Sequence, residues 1–305
     1  MIPLQFNKFD IKEKNIIKKN FCKPIYDSMQ KCKRDQLNDW VENNIPIKIF
    51  EDNASLNQEY YKDMYNETPF LCVMVAEYDV LKAIANLWDC KNLSEDFDEK
   101  LGRYLVKRVY KEKFDKKIFA TLIDESVCPY CNRNFIYNTE KLNTCQLDHF
   151  YEKSAYPLLA VSFCNLTPVC PACNYNRGTQ RLSYSPHNAA YSADNLMTFT
   201  YDYQDYDITK RRISIKKSHM IMEENLRSLD IEALYQSHND VADDLYNMAQ
   251  SYPKNYIENI AAKLGVGYST AVRWALGVYY SEEDYRKRPL SKLVIDLSRE
   301  FNLIR

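Results

Sequence analysis

Glycine is scarce in this chain: five residues of 305. A turn-rich β-sandwich needs many more, so helices are the expected framework. Long apolar runs are missing too. The longest, Phe70 to Ala76, is far shorter than the ~20 residues that span a bilayer as a helix, so no membrane association is expected. Neither sign of charge dominates. Forty-one Lys and Arg face 42 Asp and Glu, for a formal net charge of -1. A nucleic-acid surface would therefore have to be a local patch. The first residues, Met1-Ile-Pro-Leu-Gln-Phe-Asn-Lys, carry no apolar targeting core and no cleavage-like site, which leads to the expectation of a cytoplasmic protein. Ten cysteines without such a signal favour thiols and metal sites over disulfides. Apolar residues make up 46% of the chain, enough for a sizeable core.

Three segments are expected: a helical region over 1–124, a chemically distinctive core over 125–190, and a β-hairpin with helices over 191–305. Residues 1 to 124 contain no Gly but Gly102, and Pro only at 3, 24, 46 and 69. Pro69 precedes an apolar stretch to Leu87 that reads as one buried helix, and Tyr104 to Phe119 reads as another. Asn132–Tyr137 and Thr144–Phe150 read as two strands of a hairpin joined through 138–143. Pro157 to Phe163 could open a helix, and Cys170 to Gln180 a knuckle leading into one. Met197–Tyr203 and Arg212–Lys216 alternate apolar and polar residues, as a second hairpin does. Leu290, Leu293, Val294, Leu297, Phe301 and Ile304 form the apolar stripe of a last helix.

Chemistry concentrates in the middle. Cys128-Pro-Tyr-Cys131 and Cys170-Pro-Ala-Cys173 are two close thiol pairs, the pattern of a closed tetrahedral site for structural Zn²⁺. A metal there would stabilise a small β element with little core of its own. The other cysteines, at 22, 32, 72, 90, 145 and 164, read as core residues. Between the pairs stand Asp148-His149 and Asn165, and Asn174 follows the last cysteine. Neutral imidazole titrates near pH ~6.5, so His149 is a candidate general base. Adjacent strand residues face opposite ways, so Asp148 and His149 can serve one site only if the strand ends there.

The runs Cys128-Pro-Tyr-Cys131-Asn132, Leu147-Asp-His-Phe-Tyr-Glu-Lys-Ser154, Tyr156-Pro157, Asn165-Leu-Thr-Pro168 and Cys170-Pro-Ala-Cys173-Asn174 resemble the HNH endonucleases. These have a ββα-metal fold: a hairpin, a loop and a helix around one divalent cation. The resemblance covers residues 125 to 181. Its flanking style, with a weaker echo in Arg288-Pro-Leu-Ser-Lys-Leu293, is that of HNH proteins of bacterial anti-phage defence systems. It implies an α+β chain, mostly helical, with a zinc-stapled ββα-metal nuclease core. By the same resemblance His149 is the general base and Asn165 ties the loop and orients that base. Asp148 and Asn174 ligate the catalytic ion. Asn174 replaces the family's final His, and an Asp–Asn oxygen pair favours Mg²⁺ or Mn²⁺ there. Glu152 replaces a common proline and is expected to face solvent.

Lys153 and Arg177 are candidate phosphate contacts. Arg103, Lys107 and Lys111 fall on one helical stripe at i, i+4, i+8 and are candidates for holding a DNA backbone, as is a second patch, Lys210, Arg211, Arg212, Lys216 and Lys217. Ile260 to Trp274 resembles a helix-turn-helix, with Ala261 and Gly265 at the turn; its Trp274, with Tyr279 and Tyr280, also suggests plain packing. The expected activity is hydrolysis of DNA phosphodiesters, as a defence effector with an ATPase or sensor partner. The alternatives are a stand-alone restriction-type nuclease and a non-catalytic zinc-dependent nucleic-acid-binding module.

Overall fold

The structure is a computed structural model that describes residues 1–4, 10–54, 58–137, 142, 144–188, 190–203, 211–253 and 255–305. It is an α+β protein, mostly helical (62%). Among the described residues the strands form two two-stranded sheets: Gln146–His149 (β1) with Leu166–Val169 (β2), and Met197–Asp202 (β3) with Arg212–Ser218 (β4). By Cα packing the chain divides into two units. One comprises residues 5–124 and 147–167; the other comprises 1–4, 125–146 and 168–305.

In the helical unit the apolar stretch after Pro69 makes two helices rather than one, Pro69–Val75 and Tyr78–Cys90. The break falls where Ala76 and Glu77 turn extended. The Glu77 carboxylate is buried and pairs with buried Lys14, Nζ to Oε1 3.0 Å. A buried carboxylate needs a cation at a fixed place, and that need outweighs continuation of an apolar helix. The stretch expected as one helix from Tyr104 to Phe119 is also divided. The α-helix Glu99–Tyr104 winds into a π-helical segment, Leu105–Lys113, and stops at extended Phe114. A new helix, Lys116–Ile123, starts on Asp115, whose carboxylate accepts from the amides of Lys117 and Ile118 at 2.8 and 3.1 Å, an ordinary N-cap.

The segment 147–167 packs with these helices. Phe163 joins an aromatic core with Phe21 and Phe119, at centroid distances of 5.4 and 4.9 Å. Beside it the Ser162 hydroxyl donates to the Val73 carbonyl at 2.9 Å. Two short 3₁₀ turns, Pro157–Leu159 and Phe163–Asn165, stand where a helix was expected.

In the other unit β3 and β4 pair antiparallel, with a bulge between Thr198 and Phe199, as the alternation predicts. The connection 204–210 lies outside the described residues. Helix Ser291–Glu300 buries Leu293, Val294, Ile295 and Leu297. Its Asp296 accepts from the Phe199 amide of β3 at 2.9 Å and from Lys292 Nζ at 2.6 Å. Lys292 is fully buried and also reaches Asp194 at 2.9 Å. Helices Tyr256–Leu264 and Tyr268–Leu276 are joined through Gly265 at φ 62°, a left-handed position that suits glycine. Trp274, which suggested packing, is more than half exposed.

The first expected hairpin is met only at its end, where the Thr144 amide donates to the Tyr137 carbonyl at 2.9 Å and the Tyr137 amide to the Thr144 hydroxyl at 2.8 Å. Residues 132–137 are irregular apart from a bridge between Val127 and Phe135, and β1 pairs with β2 instead. The thiol knuckle bends this segment. Asn132 sits at φ 52°, and its amide donates back to the Cys128 carbonyl at 2.8 Å. The joining residues 138–141 and 143 lie outside the described ones.

Candidate metal and catalytic site

The knuckle brings Cys128, Cys131, Cys170 and Cys173 together, buried, with all four Sγ atoms within 4.8 Å of one another. The Cys131 and Cys170 sulfurs are 4.0 Å apart. A tetrahedron of Zn–S bonds of ~2.3 Å has edges of about 3.8 Å, so the spacing is that of a zinc cage. Donors outside the cage point at it: the Arg133 amide lies 3.4 Å from Cys131 Sγ and the Asn134 side-chain nitrogen 3.3 Å from Cys170 Sγ. Hydrogen bonds from the Cys128 thiol first, then from its neighbours, pull the Cys131 and Cys170 thiols below the ordinary range. Burial raises Cys128, and the bond with Cys128 raises Cys173. Four buried thiols this close can all ionise only around a cation, so the residues fit Zn²⁺.

Asn132 locks this knuckle to the C-terminal part of the unit. Its Nδ2 donates to the Tyr285 carbonyl at 2.8 Å and its Oδ1 accepts from the Lys292 amide at 3.1 Å; its own carbonyl accepts from Leu290 N at 2.6 Å. The Arg288–Leu293 run, a faint sequence signal, thus bonds to Asn132, the residue that follows the first thiol pair. Arg133 donates from Nε to His238 Nε2 at 3.0 Å.

β1 ends at His149, which satisfies the condition set by strand alternation. Asp148 and His149 are 4% and 3% exposed. His149 Nε2 lies 3.0 Å from the Ala160 carbonyl oxygen. A carbonyl only accepts, so Nε2 carries a proton and donates it there. The Tyr110 ring meets the imidazole edge to face, 4.6 Å between centroids.

Asn165 is fully buried and fastens the loop that carries the Ala160 carbonyl. Its Oδ1 accepts from Tyr151 N at 2.7 Å, and its Nδ2 donates to the carbonyls of Tyr151 and Leu159 at 3.0 and 2.9 Å. Asp148, His149 and Asn165 belong to the helical unit; the four cysteines and Asn174 belong to the other. Asn174 lies in helix Pro171–Arg177, and its Nδ2 donates to Gln146 Oε1 at 2.6 Å. That bond leaves Oδ1 as the amide atom able to ligate a cation.

The remaining candidates fall out differently. Lys107 and Lys111 are exposed, and Lys153 is half-buried with its ammonium 5.7 Å from the Tyr110 ring centre. Arg177 is buried rather than a surface cation, and its Nη1 donates to the Gly178 carbonyl at 2.9 Å. Glu152, half-buried, accepts from the Ser154 hydroxyl. In the second patch Arg211 pairs with Asp243 at 3.2 Å, while Lys210 and the Lys217 side chain lie outside the described residues. Cys32 and Cys90 are exposed, not core, unlike buried Cys22, Cys72, Cys145 and Cys164. Sequence reasoning missed Tyr110, the Ala160 carbonyl and His238; nothing in the residue pattern couples positions so far apart. No helix among the described residues is long and apolar enough to cross a membrane. No family model, characterised protein or solved structure matches this chain.

Proposed function

We propose that this protein is a metal-dependent endonuclease of the HNH type that hydrolyses DNA phosphodiesters. The observation that carries the reading is the anchoring of the His149 ring. Its Nε2 donates to the Ala160 carbonyl at 3.0 Å at the end of β1, which fixes the ring from one side, and the proposed reaction gives the acceptor role to Nδ1. Asn165 holds the loop bearing that carbonyl through three hydrogen bonds, the role the HNH resemblance gives it. His149 takes a proton from water at Nδ1 as the water attacks phosphorus, and Ala160 stabilises the imidazolium that results. On the HNH resemblance Asp148 would supply an oxygen donor to Mg²⁺ or Mn²⁺. When bound, such a cation supplies Lewis-acid stabilisation of charge developing at the phosphate. The cysteine cage would hold Zn²⁺ for structure, not chemistry. On the same resemblance the protein is a defence effector working with an ATPase or sensor partner, rather than a stand-alone restriction-type nuclease.

The test is nicking of supercoiled plasmid in Mn²⁺. His149→Ala is expected to cut about 10²–10⁴-fold more slowly than wild type, with zinc content and folding unchanged. Equal cutting would remove His149 from the mechanism. The cysteine cage also favours a second reading, a zinc-dependent nucleic-acid-binding module; DNA binding by wild type without cutting of DNA or RNA would select it.

A further inference from the structure

The helical unit contains a cavity of about 290 Å³, at the small end of ligand pockets, which begin near ~300 Å³. Its floor is apolar, with Trp88, Phe97 and Pro157, and its cationic lining is Arg103, Lys107 and Lys153. Two separate stretches of chain thus bring their cations to one place: the basic helix 99–113 and the loop that follows His149. Glu99 also lines the cavity and pairs with Arg103, and Lys107 and Lys153 are its other charged lining residues. The wall is built by close approach. A Cβ on Gly102 would stand 3.1 Å from Pro157 Cβ, so the one glycine of the helical region lets helix Glu99–Tyr104 pack against the turn after Lys153. Tyr110 touches the His149 ring at 4.6 Å and lies 5.7 Å from the Lys153 ammonium, which ties the cavity to the candidate base.

We infer that this cavity receives one unpaired nucleotide of the strand, its base on the apolar floor and its flanking phosphates on Lys107 and Lys153. A base within a duplex is stacked on both sides and cannot enter a hollow of this size, whereas an unpaired base can. Phosphates alone would need only exposed lysines; the apolar lining beside them suits a base. The inference rests on the nuclease reading for its biological use, but it is read by binding, without cleavage.

The experiment measures fluorescence anisotropy of a labelled 15-nucleotide single-stranded DNA, and of the same sequence as duplex. Full-length protein is used without added divalent cation. Single strand is expected to bind about tenfold or more tighter than duplex. Ser154→Trp, which fills the cavity from an exposed position without changing charge, should bring single-strand affinity down to the duplex level and leave duplex affinity alone. Lys107→Glu with Lys153→Glu should weaken single-strand binding and flatten its salt dependence. Thermal melting of each variant shows whether it is folded, and Ser154→Tyr serves as a smaller plug if Ser154→Trp is not. Equal affinity for both DNA forms, with no effect of the plug, would overturn the inference even if plasmid nicking stands. A free mononucleotide that binds as tightly as the oligonucleotide would overturn the assignment to a strand. Single-strand preference that the plug abolishes would sustain it even if the wild type cuts nothing, in which case only the nuclease reading falls.

Discussion

A side chain that does no chemistry governs the candidate base. Asn165 satisfies the amide and carbonyl of Tyr151 and the carbonyl of Leu159 from a fully buried position. Truncating it leaves three backbone groups without those bonds, each worth ~1–3 kcal/mol when stranded in the interior. Asn165→Ala should therefore lower stability by about 3 kcal/mol in urea titrations. Nicking should fall as well, though less than for His149→Ala, because the imidazole remains while the carbonyl at Ala160 loses its support. Asn165→Asp keeps the acceptor for Tyr151 N but sets a buried carboxylate oxygen against the Tyr151 and Leu159 carbonyls, so it should be less stable than Asn165→Ala. A loss of stability without loss of nicking would show that the loop does not position His149.

At the level of elements, periodicity located the helices but not their interruptions. The β3–β4 hairpin and the last helix were legible because their alternation and 3–4 spacing agree with the packing that buries them. The division at Ala76–Glu77 was not, since it depends on Lys14, 63 residues away. Likewise the strand before Asp148 was paired with the wrong partner. Sequence proximity favoured 132–137, whereas Asn132 at φ 52° and the thiol knuckle keep that stretch out of a ladder. The site was legible where types and spacing are local, as with the four cysteines and Asp148-His149. It was illegible where the partner is a backbone carbonyl, as at Ala160, or a ring with no motif around it, as at Tyr110. The helix break makes its own prediction. Lys14→Met leaves the Glu77 carboxylate buried without its cation, and should cost about 3–5 kcal/mol by chemical denaturation. Adding Glu77→Leu to it should restore much of the loss, because an apolar pair of similar size costs no desolvation of charge. A double variant no more stable than Lys14→Met would mean that the Glu77 carboxylate itself is needed to end the helix.

At the level of the whole molecule, with a net charge of -1, stability has to come from local devices rather than from favourable overall charge. In the unit comprising 1–4, 125–146 and 168–305, the device is the cysteine cage. The segments that meet there have little secondary structure of their own: residues 125–137 are irregular, and helix Pro171–Arg177 has seven residues. Asn132 carries the knuckle's geometry on to Tyr285, Leu290 and Lys292. Zinc bound by four thiolates contributes ~10–16 kcal/mol of apparent binding free energy in small zinc peptides at neutral pH, and that energy acts as folding energy when the site exists only in the folded state. The purified protein should thus contain about one zinc per chain by elemental analysis. Cys173→Ser should lose the metal and lower the melting temperature sharply, whereas Cys32→Ser, at an exposed cysteine outside the cage, should change neither. A strong chelator should bring wild type down to the stability of Cys173→Ser and leave that variant where it is, because both routes remove the same ion. Folded wild-type protein without zinc, as stable with chelator as without it, would assign the four sulfurs to plain packing and leave the knuckle's conformation to Asn132 alone.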